Sequence, residues 1–142
     1  MRPVALSQVA AWVEGRHLGA EATITSVSID SRTVAPGGLF VALRGERHDG
    51  HDMAGQALAA GASALLVQRE VDCALPQVLC ADTQDALGEL AAGVQQGRPA
   101  VVVALTGSNG KTSVKTLLLS ILDQVGGAYA NPGNRNNEIG LP

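Results

Sequence analysis

The sequence predicts an α/β fold in two parts: a small N-terminal α/β domain over residues 1–97 and the opening strand–P-loop–helix unit of an incomplete second domain over 98–142. Three observations predict it. Short β-branched runs alternate with helix-spaced apolar segments up to Gln96, the pattern of strands joined by helices. Gly97, Arg98 and Pro99 then interrupt the pattern as a short boundary. Beyond them an apolar run over 100–105 breaks into a glycine loop and restarts as an amphipathic helix.

The elements follow in order. Ser7 is a good N-cap for a first helix that presents Val9, Trp12 and Val13 on one face and stops at Gly15. Residues 23–29 are rich in β-branched side chains and read as a strand leading into Asp30, Ser31 and Arg32. After the Pro36-Gly37-Gly38 turn, the continuous apolar run 39–43 reads as a strand covered on both faces. A polar loop over 44–52 follows, then a small-residue helix over 53–60 ended by Gly61. Strands are expected at 64–67 and 78–80, and Asp82 caps a helix that carries Leu87, Leu90, Ala91 and Val94 at helical spacing. Past the glycine loop, Val114, Leu117, Leu118, Ile121, Leu122 and Val125 give the next helix one apolar face, and a short strand is expected over 128–130.

Composition narrows the function. The net charge is −3, so there is no basic field to hold a nucleic-acid backbone, and nucleic acid is excluded as the expected partner. The hydrophobic fraction of 46% with only 2% aromatics suits helices packed closely on a sheet. Cys73 and Cys80 match no metal or redox spacing and read as free thiols. No apolar run reaches membrane-spanning length and no leader pattern opens the chain, so no membrane span and a cytoplasmic location are expected.

Chemistry concentrates in four places. Gly107 and Gly110 let the backbone turn tightly and bring its N–H groups against phosphate oxygens at the positive end of a helix. Lys111 supplies a mobile charge for the β- and γ-phosphates of ATP, and the Thr112 hydroxyl is placed to ligate Mg²⁺. Leu105 stands where the strict P-loop pattern has its first glycine, so the motif is the shorter run Thr106, Gly107, Ser108, Asn109, Gly110, Lys111, Thr112. The second place is the loop 44–52, which packs Arg44, Glu46, Arg47, His48, Asp49, His51 and Asp52 around Gly45 and Gly50. Those glycines disfavour the helix needed to align His48 and His51 on one metal, so a loop that hydrogen-bonds a polar ligand is the better reading. Third, Asp30, Ser31 and Arg32 follow a strand, where α/β folds bind ligands, although each could merely shape a turn. Fourth, Asn131, Asn134, Asn136 and Asn137 form either turns or an amide surface near the nucleotide.

Taken together, the run 106–115 followed by Gly133-Asn134-Arg135-Asn136-Asn137-Glu138-Ile139-Gly140-Leu141-Pro142 resembles the Mur ligase family, and within it the D-alanyl-D-alanine-adding type. Upstream, residues 30–32, 36–43 and 49–51 look like that family's uridine-nucleotide domain. The P-loop core is shared with folylpolyglutamate synthases, whereas the asparagine segment and Ser113-Val114 favour the D-alanyl-D-alanine-adding members.

The resemblance implies an ATP-dependent ligase of peptidoglycan precursor synthesis, with residues 1–97 as its substrate domain and 98–142 as the start of a truncated central ATPase domain. ATP would phosphorylate the terminal carboxylate of UDP-N-acetylmuramoyl-tripeptide, and the amine of D-alanyl-D-alanine would attack the acyl phosphate. It implies Lys111 as the catalytic residue, nucleotide contacts from Thr106 through Ser113, and Thr112 on Mg²⁺. Ser31, Arg32, Arg47, His48, Asp49, Gly50 and His51 would hold uridine or diphosphate, and Asn134, Asn136 and Asn137 would face the substrate. It further implies a monomeric full-length enzyme. No acid on a later strand completes the Mg²⁺ site, so the chain reads as the inactive N-terminal portion of a longer polypeptide. Two rivals stand beside this reading: a P-loop kinase or ATPase that needs no uridine-linked acceptor, and a non-catalytic nucleotide-sugar-binding module.

Overall fold

The computed structural model describes residues 1–46, 48–97, 101–131 and 139. The chain divides into two compact units, Met1–Gly97 and Arg98–Leu141.

The first unit opens with β1 (Val4–Ala5) and α1 (Leu6–Trp12). The helix starts before the expected cap: Ser7 lies inside it, and its N–H donates to Glu21 Oε1 at 3.1 Å. Leu6 explains the shift. Its side chain is fully buried, so packing recruits it into the first turn regardless of capping preference. β2 (Arg16–Leu18) follows, a short edge strand whose Arg-His-Leu composition gave no periodic signal.

The strand expected over 23–29 forms as two pieces, β3 (Thr23–Ile24) and β4 (Ser26–Ser28). β3 pairs antiparallel with β1, while β4 pairs parallel with β5 (Gly38–Val41). Thr25 sits at the break and points its N–H and hydroxyl at the Gly37 carbonyl, which is how one run comes to serve two sheets. After α2 (Ala54–Ala60), capped by Gly61, come β6 (Ala62–Val67) and β7 (Gln77–Leu79). The main sheet runs β2-β7-β6-β5-β4, with β4 to β7 mutually parallel and β2 antiparallel at the edge.

Both faces of this sheet are covered. Phe40, Ala42, Leu65 and Val67 join Ala54 and Ala57 of α2 in one buried cluster. Leu39, Val41, Ala64 and Leu66 alternate with them, are equally buried, and point to the opposite face. That face belongs to α1 and α3 (Thr83–Gln96), which pack on each other. Asp82 caps α3 as expected, accepting from the N–H groups of Gln84 and Asp85. Cys73 and Cys80 are free, and burial, with Asp82 and Glu89 nearby, pushes the Cys80 thiol up to about 11.

The second unit consists of an extended segment, the glycine loop, α4 (Lys111–Leu122) and a trailing segment. The strand expected over 100–105 does not form among its described residues 101–105, nor does the one expected over 128–130. The reason is pairing. A strand exists only in a ladder, and neither segment has a ladder partner among the described residues. Val101, Val102 and Val103 accordingly stay exposed, and the apolar face of α4, with Leu117 at 63% and Ile121 at 61% exposure, is uncovered.

Candidate functional site

Because β4 to β7 are parallel, the segments that leave their carboxyl ends emerge on one edge of the sheet, where open α/β sheets bind ligands. Asp30, Ser31 and Arg32 follow β4, Ala42 to Arg44 and the 3-10 turn Gly50–Met53 follow β5, Gln68 and Arg69 follow β6, and Asp82 to Gln84 follow β7. The topology thus brings the second and third places singled out in the sequence to a common edge.

Arg32 lies across its own turn. Its Nε and Nη2 donate to the two carboxylate oxygens of Asp30 at 2.9 and 2.8 Å, and the side chain is 74% exposed. This fork, with the Arg32 backbone N–H, lowers Asp30 from 3.8 to about 2. Ser31 is turned inward and donates to Gln56 Oε1 of α2 at 2.5 Å.

The loop after β5 is built around Asp49, Gly50 and His51. The Gly50 N–H donates to the Leu43 carbonyl at 2.8 Å. A Cβ on Gly50 would stand 2.7 Å from that oxygen and 2.8 Å from the Leu43 nitrogen, so only glycine allows so close an approach to backbone. His51 is 2% exposed, and both ring nitrogens are engaged. Nε2 accepts from the Gln68 N–H at 2.8 Å, which leaves Nδ1 as the donor to Asp49 Oδ1 at 2.5 Å. The backbone N–H of His51, then its ring, lowers Asp49 from 3.8 to about 2. Arg69 closes the cluster from above, donating to Asp52 Oδ1 at 2.9 Å and reaching Asp49 Oδ2 at 3.4 Å.

A pocket of about 260 Å³ opens beside this cluster, lined by Leu43, Arg44, Gln68, Asp82, Thr83 and Gln84. Its walls are tied to one another. The Thr83 hydroxyl donates to the Ala42 carbonyl at 2.9 Å, and Gln68 Nε2 donates to Asp82 Oδ2 at 3.0 Å and to the Ala81 carbonyl at 3.3 Å. Among the described residues no group of three or more His, Cys, Asp or Glu side chains is placed to hold a metal ion.

In the second unit, Gly107 and Gly110 take φ values of +152° and +79°, in the region that L side chains rarely adopt. Gly110 is the N-cap of α4, so no side chain caps the helix, and its first N–H groups stand exposed in the manner that receives phosphate oxygens. Lys111 folds back so that its Nζ donates to the Gly107 carbonyl. Thr106, Ser108, Asn109, Thr112 and Ser113 are all exposed around this loop. The uncapped helix start, the lysine and the threonine hydroxyl fit a Mg²⁺-bound triphosphate in residue type. One turn along α4, Lys115 Nζ donates to the Asn131 carbonyl at 2.8 Å.

Of the residues read from the sequence, Arg47, Asn134, Asn136 and Asn137 lie outside the described residues, as do Arg98 and Pro99 of the expected boundary. Sequence reasoning missed Gln56, Gln68 and Arg69. Gln68 and Arg69 carried a usable signal, since they directly follow the strand expected at 64–67; the pairing of Gln56 with Ser31 had none.

This α/β edge and this glycine loop have known counterparts. The Mur ligase family catalytic-domain profile matches residues 23–101, and the Mur ligase middle-domain profile matches 105–142. The chain belongs to the Mur ligase family.

Within it, the chain is 54% identical over 142 residues to the UDP-N-acetylmuramoyl-tripeptide--D-alanyl-D-alanine ligase of Escherichia coli K12, covering all of this chain and 31% of that one. It is 40% identical over 129 residues to the ligase of the same name from Synechocystis, covering 89% and 28%. Among solved structures, a MurF crystal structure from Acinetobacter baumannii superposes with a TM-score of 0.90 at 35% identity, covering 99% of this chain and 32% of that one. A MurF ligase from Thermotoga maritima in complex with ADP superposes with a TM-score of 0.73 at 36% identity, covering 82% and 27%. The chain spans about a third of the length of these curated relatives.

Proposed function

We propose that this chain is the substrate-binding domain and the P-loop of an ATP-dependent amide-bond ligase that adds D-alanyl-D-alanine to UDP-N-acetylmuramoyl-tripeptide. The observation that carries the reading is the 54% identity to the Escherichia coli ligase across all 142 residues, continuous through both units. Residues 1–97 hold the uridine nucleotide, and 98–142 begin the ATP-binding domain. The reaction makes a cell-wall precursor from soluble substrates, which suits a cytoplasmic, monomeric enzyme.

The roles follow from charge and position. Arg32, Ser31, His48, Asp49 and Gly50 stand at the edge assigned to uridine or diphosphate, Arg47 is assigned to the same ligand from the sequence, and His51 is buried behind them, its ring engaged by Asp49 and Gln68. Arg32 has the reach and exposure to exchange Asp30 for a phosphate. The N–H groups from Thr106 to Ser113 cradle the ATP phosphates, Thr112 offers its hydroxyl to Mg²⁺, and Lys111 leaves the Gly107 carbonyl to neutralise charge on the transferred phosphoryl. Mg²⁺, when bound, screens the phosphate charge and polarises the phosphoryl group. Asn134, Asn136 and Asn137 present amides to the substrate. The carboxylate of the tripeptide is activated as an acyl phosphate, which the dipeptide amine displaces with release of phosphate.

A chimera tests this. The matching segment of the Escherichia coli ligase is replaced by this chain, and product formation is measured with UDP-N-acetylmuramoyl-tripeptide, D-alanyl-D-alanine and Mg·ATP. Ligation by the chimera is expected, with a loss of at least about a hundredfold in kcat on Lys111→Ala. A folded chimera that hydrolyses ATP equally well without the uridine-linked acceptor would instead favour the kinase or ATPase reading.

A further inference from the structure

We propose that His51 is a positioning residue of the uridine-nucleotide site: buried and out of reach of ligand, it sets the position of Asp49 and of Arg44, which is bridged to Asp49. The inference rests on the uridine reading of that sheet edge.

A side chain that contacts a soluble ligand must present surface or a polar atom to it. His51 presents neither, since its side chain is 2% exposed, Nδ1 is spent on Asp49 and Nε2 on the Gln68 N–H. Its two partners lie on different elements. Asp49 ends the loop that leaves β5 and bridges back to Arg44, whereas Gln68 is the first residue past β6. The imidazole is therefore a rigid strut between two strand ends, and its length fixes how far Asp49 stands from the β6 end.

The strut continues outward on each side. Asp49 offers its second oxygen to Arg69, which also holds Asp52, and Gln68 reaches Asp82 at the start of α3. Arg44 and Gln68 both line the pocket. A shift of His51 thus reaches the pocket walls through two hydrogen bonds. Gly50 keeps the strut short by letting the loop backbone lie against Leu43.

The two arms can be separated by substitution. His51→Asn keeps a donor near the position of Nδ1 and strands the Gln68 N–H without its acceptor. His51→Gln keeps an acceptor near Nε2 and deprives Asp49 of the ring donor, leaving it the backbone N–H of that residue and Arg69. If positioning runs through Asp49, the two variants rank in opposite orders for binding and for stability. The experiment titrates the 142-residue chain and both variants with UDP by calorimetry and follows their thermal unfolding.

His51→Gln is expected to weaken UDP binding about tenfold, the scale of one lost charge-assisted hydrogen bond, while His51→Asn binds within about threefold of the unsubstituted chain. His51→Asn is expected to show the larger fall in Tm, because it leaves a buried N–H unsatisfied. Asp49→Ala removes the acceptor of the same arm at a more exposed position and should weaken UDP binding at least as much as His51→Gln, which keeps the test decisive where a histidine variant fails to fold. Affinities that fall in the same order as Tm, or that do not change at all, would overturn the positioning role and leave the uridine reading standing. Absence of UDP binding by the unsubstituted chain would overturn the uridine reading and the positioning role with it.

Discussion

Asp49 is the residue on which the sheet-edge cluster turns. It accepts from the backbone and ring of His51 and from Arg69, and its carboxyl titrates at about 2 rather than 3.8. In the window between these values the unfolded chain binds the proton first, so stability rises with pH. The contribution is fully present above 3.8 and is lost as pH falls through about 2. Urea unfolding across this acid range should show that loss, and Asp49→Asn should flatten it; an unchanged acid limb in the variant would show that the carboxylate is not held as described. Asp30 is lowered to the same extent, but by an arginine that is 74% exposed, so its contribution is the more easily screened by salt. The sequence displayed both carboxylates and both neighbours, yet the same letters Asp49-Gly50-His51 are compatible with a ligand-facing histidine and with a buried one. Only the position of Gln68, seventeen residues away, decides between them.

At the scale of the element, α3 carries two glycines in opposite settings. Gly93 is buried against α1, where an added Cβ would overlap the Trp12 ring, whereas Gly88 has open space beyond it. Gly93→Ala should therefore destabilise the chain by about 1–3 kcal/mol, the overpacking cost exceeding the gain in helix propensity. Gly88→Ala should stabilise by up to about 1 kcal/mol. Urea unfolding of the two variants measures both signs, and a stabilised Gly93→Ala would mean that α1 and α3 do not pack as described. Elements with strong local signals were legible in the sequence: the Asp82 cap and the Gly61 stop stand where the residues put them, and the strand expected over 39–43 forms as Gly38–Val41. Those that depend on distant partners were not. β1 and β2 are two and three residues long and exist through pairing with β3 and β7, and the run 23–29 divides because its halves pair with different strands. The valines at 101–103 show the converse, a strong strand signal with no neighbouring strand among the described residues.

At the scale of the molecule, the chain divides into two compact units, and the proposed function assigns the uridine nucleotide to the first and ATP to the second. The first unit has a covered sheet and a polar edge, while the second has a glycine loop at the head of a helix. The loop was legible because glycine, lysine and threonine at that spacing serve few other purposes. The pairing of Gln56 with Ser31 was not, because no local pattern announces it, and Gln68 and Arg69 were legible only as the residues that follow the strand expected at 64–67. The most direct test is a pair of ¹H–¹⁵N correlation spectra of the 142-residue chain, one titrated with UDP and one with Mg·ATP. UDP is expected to shift the amides of residues 30–32, 44–52 and 68–69 and to leave 106–113 unmoved. Shifts of the P-loop amides by UDP with the sheet edge silent would contradict that assignment of ligands to units.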